Sequence, residues 1–286
     1  MPHDWYRARI RGGRTSKWNR LPKHRPLTRA DLRRRGVTRA ALATHYLRVE
    51  HGIYVPLAAV DMDIAERDTE TPGEDLIRAV HPAVLVMAHA LHHPQQVATS
   101  FAAGAFLGMR YFASEEPVEF LTPRGVRQDN QPGHIVSTQT RRISAYRQSA
   151  VIRGTSDPVL RQVRMTPLGD TLAYMLRTLQ TPDEARDRRW RVPDLSGVRG
   201  HLTPEFIRCV QTSDAFHQDL AKETPGNLTA FQVPGTVSVD AAAAVLEATD
   251  VGAESPPKTL PSAWWWPGAE GDGGRSAVTG LSAGSP

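Results

Sequence analysis

The sequence predicts an α+β fold in four parts, and three observations carry that expectation. The first sixty residues hold two short helix patterns, separated by a glycine and followed by a β pattern. The next stretch mixes apolar helical runs with short strand-like ones, as a small α+β domain does. The end is rich in Gly, Ser, Ala and Pro, a composition that cannot bury enough apolar surface to order itself. The expected division is therefore 1–59, a basic arm and helical module; 60–186, an α+β domain; 187–250, a helical linker; and 251–286, a disordered tail.

The first module is read from its punctuation. Thr28 followed three places later by Asp31 is a capping-box pattern, in which hydroxyl and carboxylate each satisfy an orphan amide of the first helical turn. The helix starting there should end by Gly36, which suits the left-handed position after a helix, with Arg33, Arg34 and Arg35 in its last turn. Thr38 can cap a second helix running to about Leu47. On that helix Ala41, Leu42 and Tyr46 share the inner side, while Ala40, Ala43 and Thr44 point outward beside Arg39. Arg48 to Leu57, with Gly52 in its middle, then reads as a short hairpin. Two helices on a glycine turn followed by a hairpin are the grammar of a winged helix-turn-helix.

Charge says what such a module should meet. Residues 1–48 carry 14 Lys/Arg against only Asp4 and Asp31, whereas the remainder carries 21 against 28 acids. The basic head should seek a polyanion and the rest should not. With Arg39 at the start of the second helix and small residues along its outer side, that helix fits a major groove, and the alanine methyls can meet thymine methyls. The residues expected to touch duplex DNA are Arg29, Arg33, Arg34, Thr38, Arg39, Ala43, Thr44, Arg48 and His51.

Other chemistry is expected to be absent. No apolar run resembling a secretory signal opens the chain, so a cytoplasmic location is expected. The longest apolar stretch, AVLVMAHAL at 83–91, falls far short of the ~20 residues that cross a bilayer. The lone Cys209 permits no internal disulfide and reads as a small core residue. His89, His92 and His93 share one helix face, but HExxH is missing, no acid or cysteine lies beside them, and Pro94 stops the helix. They read as surface or hydrogen-bonded histidines, so no metal, no cofactor and no catalytic residue is expected.

The middle should contain a buried helix at roughly 74–92 and strands near 118–121, 134–137 and 150–152. Thr166-Pro167 should open a helix whose apolar stripe is Leu168, Leu172, Met175, Leu176 and Leu179. Thr203-Pro204-Glu205 should open another, read as the linker helix.

These residues resemble the antitoxins of the AbiE (type IV) toxin–antitoxin class and their actinobacterial relatives. LTRADLRRRGVTRAAL at 27–42 and HGIYVP at 51–56 match that family's winged helix in kind and order. VATSFAAGAFLG at 97–108 is similar to a family helix whose small residues permit close packing, with Ser100 where relatives often have His. EFLTP at 119–123 and VRMTPLGDTLAYMLRTL at 163–179 resemble the strand and helix of its second domain. The resemblance implies a DNA-binding transcriptional regulator whose partners are duplex DNA and a nucleotidyltransferase-like toxin that forms no stable complex with it. Many relatives continue into a domain similar to very-short-patch-repair endonucleases. AESPPKTL at 253–260 looks like its entrance, with Lys258 where the family has Glu. Only Glu270 and Asp272 follow, too few carboxylates for a Mg²⁺ nuclease site. The alternative reading is thus a non-catalytic remnant of such a fusion protein. Trp264, Trp265 and Trp266 with the Gly/Ser-rich text after them suggest a high-GC gene read in a shifted frame.

Overall fold

A computed structural model describes residues 23–61, 76–77, 79–109, 112, 116–123, 135–140, 157–180, 192–221 and 238–249. The arm before residue 23, the expected strand at 150–152 and the tail at 251–286 lie outside the described residues. The architecture is mixed helix and sheet, as expected. The chain divides into two compact units: one of 1–98, 105–108 and 117–166, the other of 99–104, 109–116 and 167–286.

The first unit opens with β1 (Leu27–Thr28), α1 (Arg29–Arg34) and α2 (Arg39–His45), followed by β2 (Tyr46–Glu50) and β3 (Ile53–Pro56). The three strands form one antiparallel sheet in the order β1-β3-β2. Thr28 caps α1 through the full capping box: Asp31 N donates to Thr28 Oγ1 at 3.1 Å, and Thr28 N to Asp31 Oδ2 at 3.0 Å. Gly36 takes φ +72 and Gly52 φ +71, conformations that a Cβ disfavours, and these two glycines make the turns between α1 and α2 and between β2 and β3. Thr38 caps α2, its Oγ1 accepting from Ala41 N at 3.2 Å.

The second helix is shorter than expected. Tyr46 is already extended, at φ −133 and ψ 138, because it pairs with Pro56 across the hairpin, so the helix ends at His45 and not near Leu47. Later in this unit, the helix expected at roughly 74–92 is interrupted: residues 76–77 are helical, 74, 75 and 78 lie outside the described residues, and α3 spans Pro82–His92. Val80 N donates to Ile77 O at 3.0 Å in a turn, Val80 forms a bridge with Val60, and Asp61 N donates to Ala79 O at 2.9 Å, which interrupts the helical path before His81. His81 Nδ1 then accepts from Ala83 N at 3.1 Å and caps the helix. From Pro82 to Ala90 every residue of α3 is buried.

Residues 97–108, expected as one helix, divide into β4 (Val97–Thr99) and α4 (Ser100–Leu107). The strand forms because Ala98 pairs with Met165 and takes the Thr166 amide at 3.0 Å. The sheet continues into β5 (Val118–Pro123) and β6 (Ile135–Thr140), which run parallel in register from Val118 opposite Ile135 to Pro123 opposite Thr140. The helix α5 (Pro158–Gln162) is capped by Asp157, which also accepts from Arg25 Nε at 3.0 Å.

In the second unit, α6 (Leu168–Leu179) carries the expected stripe, with Leu172, Met175, Leu176 and Leu179 buried and Leu168 partly so. Its start differs by one residue. Pro167 occupies the cap position without a side-chain hydrogen bond, since the Thr166 backbone is held by Ala98. Gly104 of α4 permits the close packing expected of the small residues there, because a Cβ would overlap the end of Met175.

The helix read as a linker is a core element. α7 (Pro204–Phe216) is capped by Thr203 and buried at every position from Phe206 to Phe216. It shares one apolar cluster with α6 and with α8 (Val239–Ala248), itself capped by Ser238. Polar residues such as Arg208 and Asp214 gave this helix a surface pattern in sequence, yet they are 1% and 2% exposed. Tertiary packing has overridden the local pattern. Cys209 is a thiol fully buried in this cluster, its Sγ donating to Leu176 O at 3.9 Å, in line with its reading as a small core residue.

The capping box makes a testable stability element. Hydrogen bonding from the Thr28 hydroxyl, opposed by partial burial and aided by Arg34, holds the Asp31 carboxyl below its ordinary value. A carboxyl lowered in the fold stabilises it above the unfolded-state pKa, and that contribution is lost as pH falls through the folded value. Thr28→Ala is expected to cost about 1 kcal/mol at neutral pH. That difference should begin to shrink as pH falls below about 4 and be smallest once pH has passed the lowered folded-state value and Asp31 is protonated in the fold. Urea melts of both forms at the two pH values measure it, and an unchanged difference would contradict the account.

Candidate nucleic-acid interface

The expected DNA-facing residues are all accounted for in the first unit. Arg29, Arg33 and Arg34 are exposed on α1, Thr38 is exposed at the cap of α2, and Arg39, Ala43 and Thr44 are exposed along α2. Ala41 and Leu42 are half-buried, so α2 has the inner and outer sides that its sequence implied. Arg48 is exposed on β2, paired in register with Tyr54, and His51 is exposed at the hairpin turn. Arg29 N donates to Gly52 O at 2.9 Å, which fixes the start of α1 to the tip of the hairpin.

Not every one of these groups is equally free to bind. Arg34 forms an ion pair with Asp31, so a phosphate would have to compete for it. The Thr38 hydroxyl is engaged as a cap, and Thr44 Oγ1 donates to Ala40 O at 3.0 Å. These two hydroxyls retain lone pairs, but their first role is to hold α2 together. Arg39 is the one cation that opens α2 while lying outside any such local bond.

The electrostatics are one-sided. Among the described residues 23–61, Lys23, Arg29, Arg33, Arg34, Arg35, Arg39 and Arg48 are exposed, and no acid is. Asp31 is tied into the cap, Asp61 is half-buried, and Glu50 is buried. Sequence reasoning left out Lys23 and Arg35, although both lie within the same basic run; a simple charge count would have included them.

A second cluster in this unit was not legible beforehand. In β2 the register shifts between Arg48, opposite Tyr54, and Glu50, opposite Ile53. The extra residue breaks the alternation of sides, so both Val49 and Glu50 turn inward, at 2% and 7% exposure. Glu50 Oε1 meets His89 Nδ1, and Glu50 Oε2 lies 3.5 Å from His92 Nδ1. His89 Nε2 in turn lies 2.8 Å from Gln96 Oε1. The His93 ring sits 4.5 Å from that of His89, whose other neighbour is the Phe120 ring at 4.1 Å. Burial, with some help from the neighbouring His89 and against the pull of Glu50, keeps the His93 imidazole below its ordinary pKa.

Comparison with known proteins found no matching family model, no matching curated protein and no matching solved structure. Among the described residues no helix is long and apolar enough to cross a membrane.

Proposed function

We propose that this chain is a DNA-binding transcriptional regulator of the antitoxin kind, a cytoplasmic protein that acts through a winged helix-turn-helix at its N-terminal end. It binds a promoter, does no catalysis, and takes part in control of a nucleotidyltransferase-like toxin without a stable complex. The observation that carries the reading is the face made by α1, α2 and the β2–β3 hairpin, which exposes Arg29, Arg33, Arg34, Arg39 and Arg48, with Lys23 and Arg35 exposed beside them and no exposed carboxylate among the described residues 23–61. Such a face has few internal acids to neutralise it and suits a phosphate backbone. The order strand, two short helices and hairpin, with β1 paired to β3, supports reading α2 as a recognition helix and the hairpin as a wing.

Within that reading Arg39 and Arg33 do different work. Arg39 opens α2, the end that reaches deepest into a major groove, and there it meets base edges. Arg33 belongs to the preceding helix, which crosses the backbone, and phosphates carry no sequence information. A preferred duplex is first selected from a random library with the full chain, and both variants are then titrated against it and against a scrambled duplex at one salt concentration. Arg39→Ala is expected to cost about 1–3 kcal/mol on the selected site and much less on the scrambled one. Arg33→Ala should weaken both about equally. Equal losses for Arg39→Ala would remove its reading role, and failure of the chain to enrich any sequence would contradict a promoter-binding regulator.

A further inference from the structure

We propose that Glu50, His89 and His93 form a binding site for one divalent transition cation of the zinc class, joining the β2–β3 hairpin to α3 inside the first unit. This goes against the expectation of no metal, which rested on the absence of an acid near the three histidines in sequence. The fold supplies that acid from β2, by means of the bulge that turns Glu50 inward.

Three features point to a cation. The ligand atoms of Glu50, His89 and His93 all lie within 4.8 Å of one another. Tetrahedral zinc, with bonds of about 2.0–2.1 Å to N and O, sets its ligand atoms roughly 3.3 Å apart, so an ion entering here would part the contact between Glu50 Oε1 and His89 Nδ1. Next, Gln96 Oε1 can only accept a hydrogen bond, so His89 Nε2 carries a proton. His89 Nδ1 then meets the Glu50 carboxylate either by donating a proton of its own or through a cation that both atoms hold. An outer acceptor on the far ring nitrogen is also how metal-bound imidazoles are usually held. Finally, Glu50 Oε2 is buried and takes no hydrogen bond among the described residues. A proton shared between Glu50 Oε1 and His89, with the His92 ring near Oε2, would leave His93 outside the cluster, whereas a cation engages the carboxylate and both rings.

Two imidazole nitrogens and one carboxylate make a borderline donor set that suits Zn²⁺, Co²⁺ or Ni²⁺ better than Mg²⁺ or Ca²⁺. The fourth position is left to water, with the His92 ring, 38% exposed, at the rim.

The test uses the untagged full chain, stripped with a chelator and titrated with Zn²⁺, and in parallel with Co²⁺ for its visible ligand-field bands. The expected result is one equivalent bound, a tetrahedral Co²⁺ spectrum, and a rise in melting temperature with added Zn²⁺. His93→Asn, at a half-buried position, should abolish stoichiometric binding while leaving the melting temperature of the metal-free protein nearly unchanged. Gln96→Leu should weaken binding roughly 10–100-fold by releasing the His89 ring. His45→Asn, on exposed α2, should bind like the parent. Absence of a bound equivalent in the parent would overturn the proposal and leave the pair joined by a proton, with Gln96 free to turn its amide. Binding that survives His93→Asn unchanged would overturn it equally, since the ligands would then lie elsewhere.

Discussion

Phe206→Ala is expected to destabilise the second unit by about 3–5 kcal/mol, the range for deleting a buried aromatic ring when its surroundings cannot collapse. Phe206 is fully buried at the start of α7, in a cluster that also holds Leu172, Met175 and Leu176 of α6 and Val245 of α8. Its amide is tied to the Thr203 cap at 3.3 Å, so the backbone has little freedom to move inward and fill the space. The His201 ring, whose centroid is 6.0 Å away edge-on, loses its aromatic neighbour as well. Against a total stability of about 5–15 kcal/mol, a loss of this size leaves the unit marginal. Phe206→Leu, which keeps most of the volume, should cost much less. Guanidinium titration of the three forms measures the difference, and a loss below about 1 kcal/mol for Phe206→Ala would show that α7 does not hold this core together.

Affinity for duplex DNA is expected to fall by about 10³–10⁵ between 50 and 200 mM salt, the range for proteins making 6–10 phosphate contacts. The described residues 23–61 expose seven Lys/Arg, five of them on α1, α2 and the hairpin. Each that neutralises a phosphate releases condensed counterions, and added salt opposes that release, contributing a slope of about −0.9 per contact on a log–log plot. Arg34 should contribute least, since Asp31 already compensates it. Among the described residues Arg29, Arg33 and Arg48 have no carboxylate partner of this kind, and they should each take a full share of the slope.

The parts of this architecture that could be read from sequence are those set by neighbouring residues. The Thr28 and Asp31 box, the left-handed Gly36 and the Thr38 cap each need only three or four consecutive residues, and all three stand as read. The α6 stripe was legible for the same reason: a 3.6-residue period is local. What escaped was set by partners distant in sequence. Val60 bridges to Val80 and so separates the helical residues 76–77 from α3; Ala98 holds Thr166 and displaces the cap of α6 to Pro167. The buried face of α7 depends on two other helices, which its own charged residues concealed. The candidate interface was legible because exposed cations advertise themselves in composition. The Glu50 and histidine cluster was not, because a one-residue bulge reverses which side of a strand a carboxylate takes, and no residue type announces a bulge.

The most direct test of the account asks whether the described face, and not the basic residues before position 23, meets the nucleic acid. The equilibrium constant for a duplex of random sequence is measured across a salt series for the full chain and for the combined variant Arg29→Ala, Arg33→Ala and Arg48→Ala. Three phosphate contacts removed should make the log–log slope shallower by about 2–3 and weaken binding at low salt. A slope that is the same for both proteins would contradict the assignment of the DNA-binding face to α1, α2 and the hairpin.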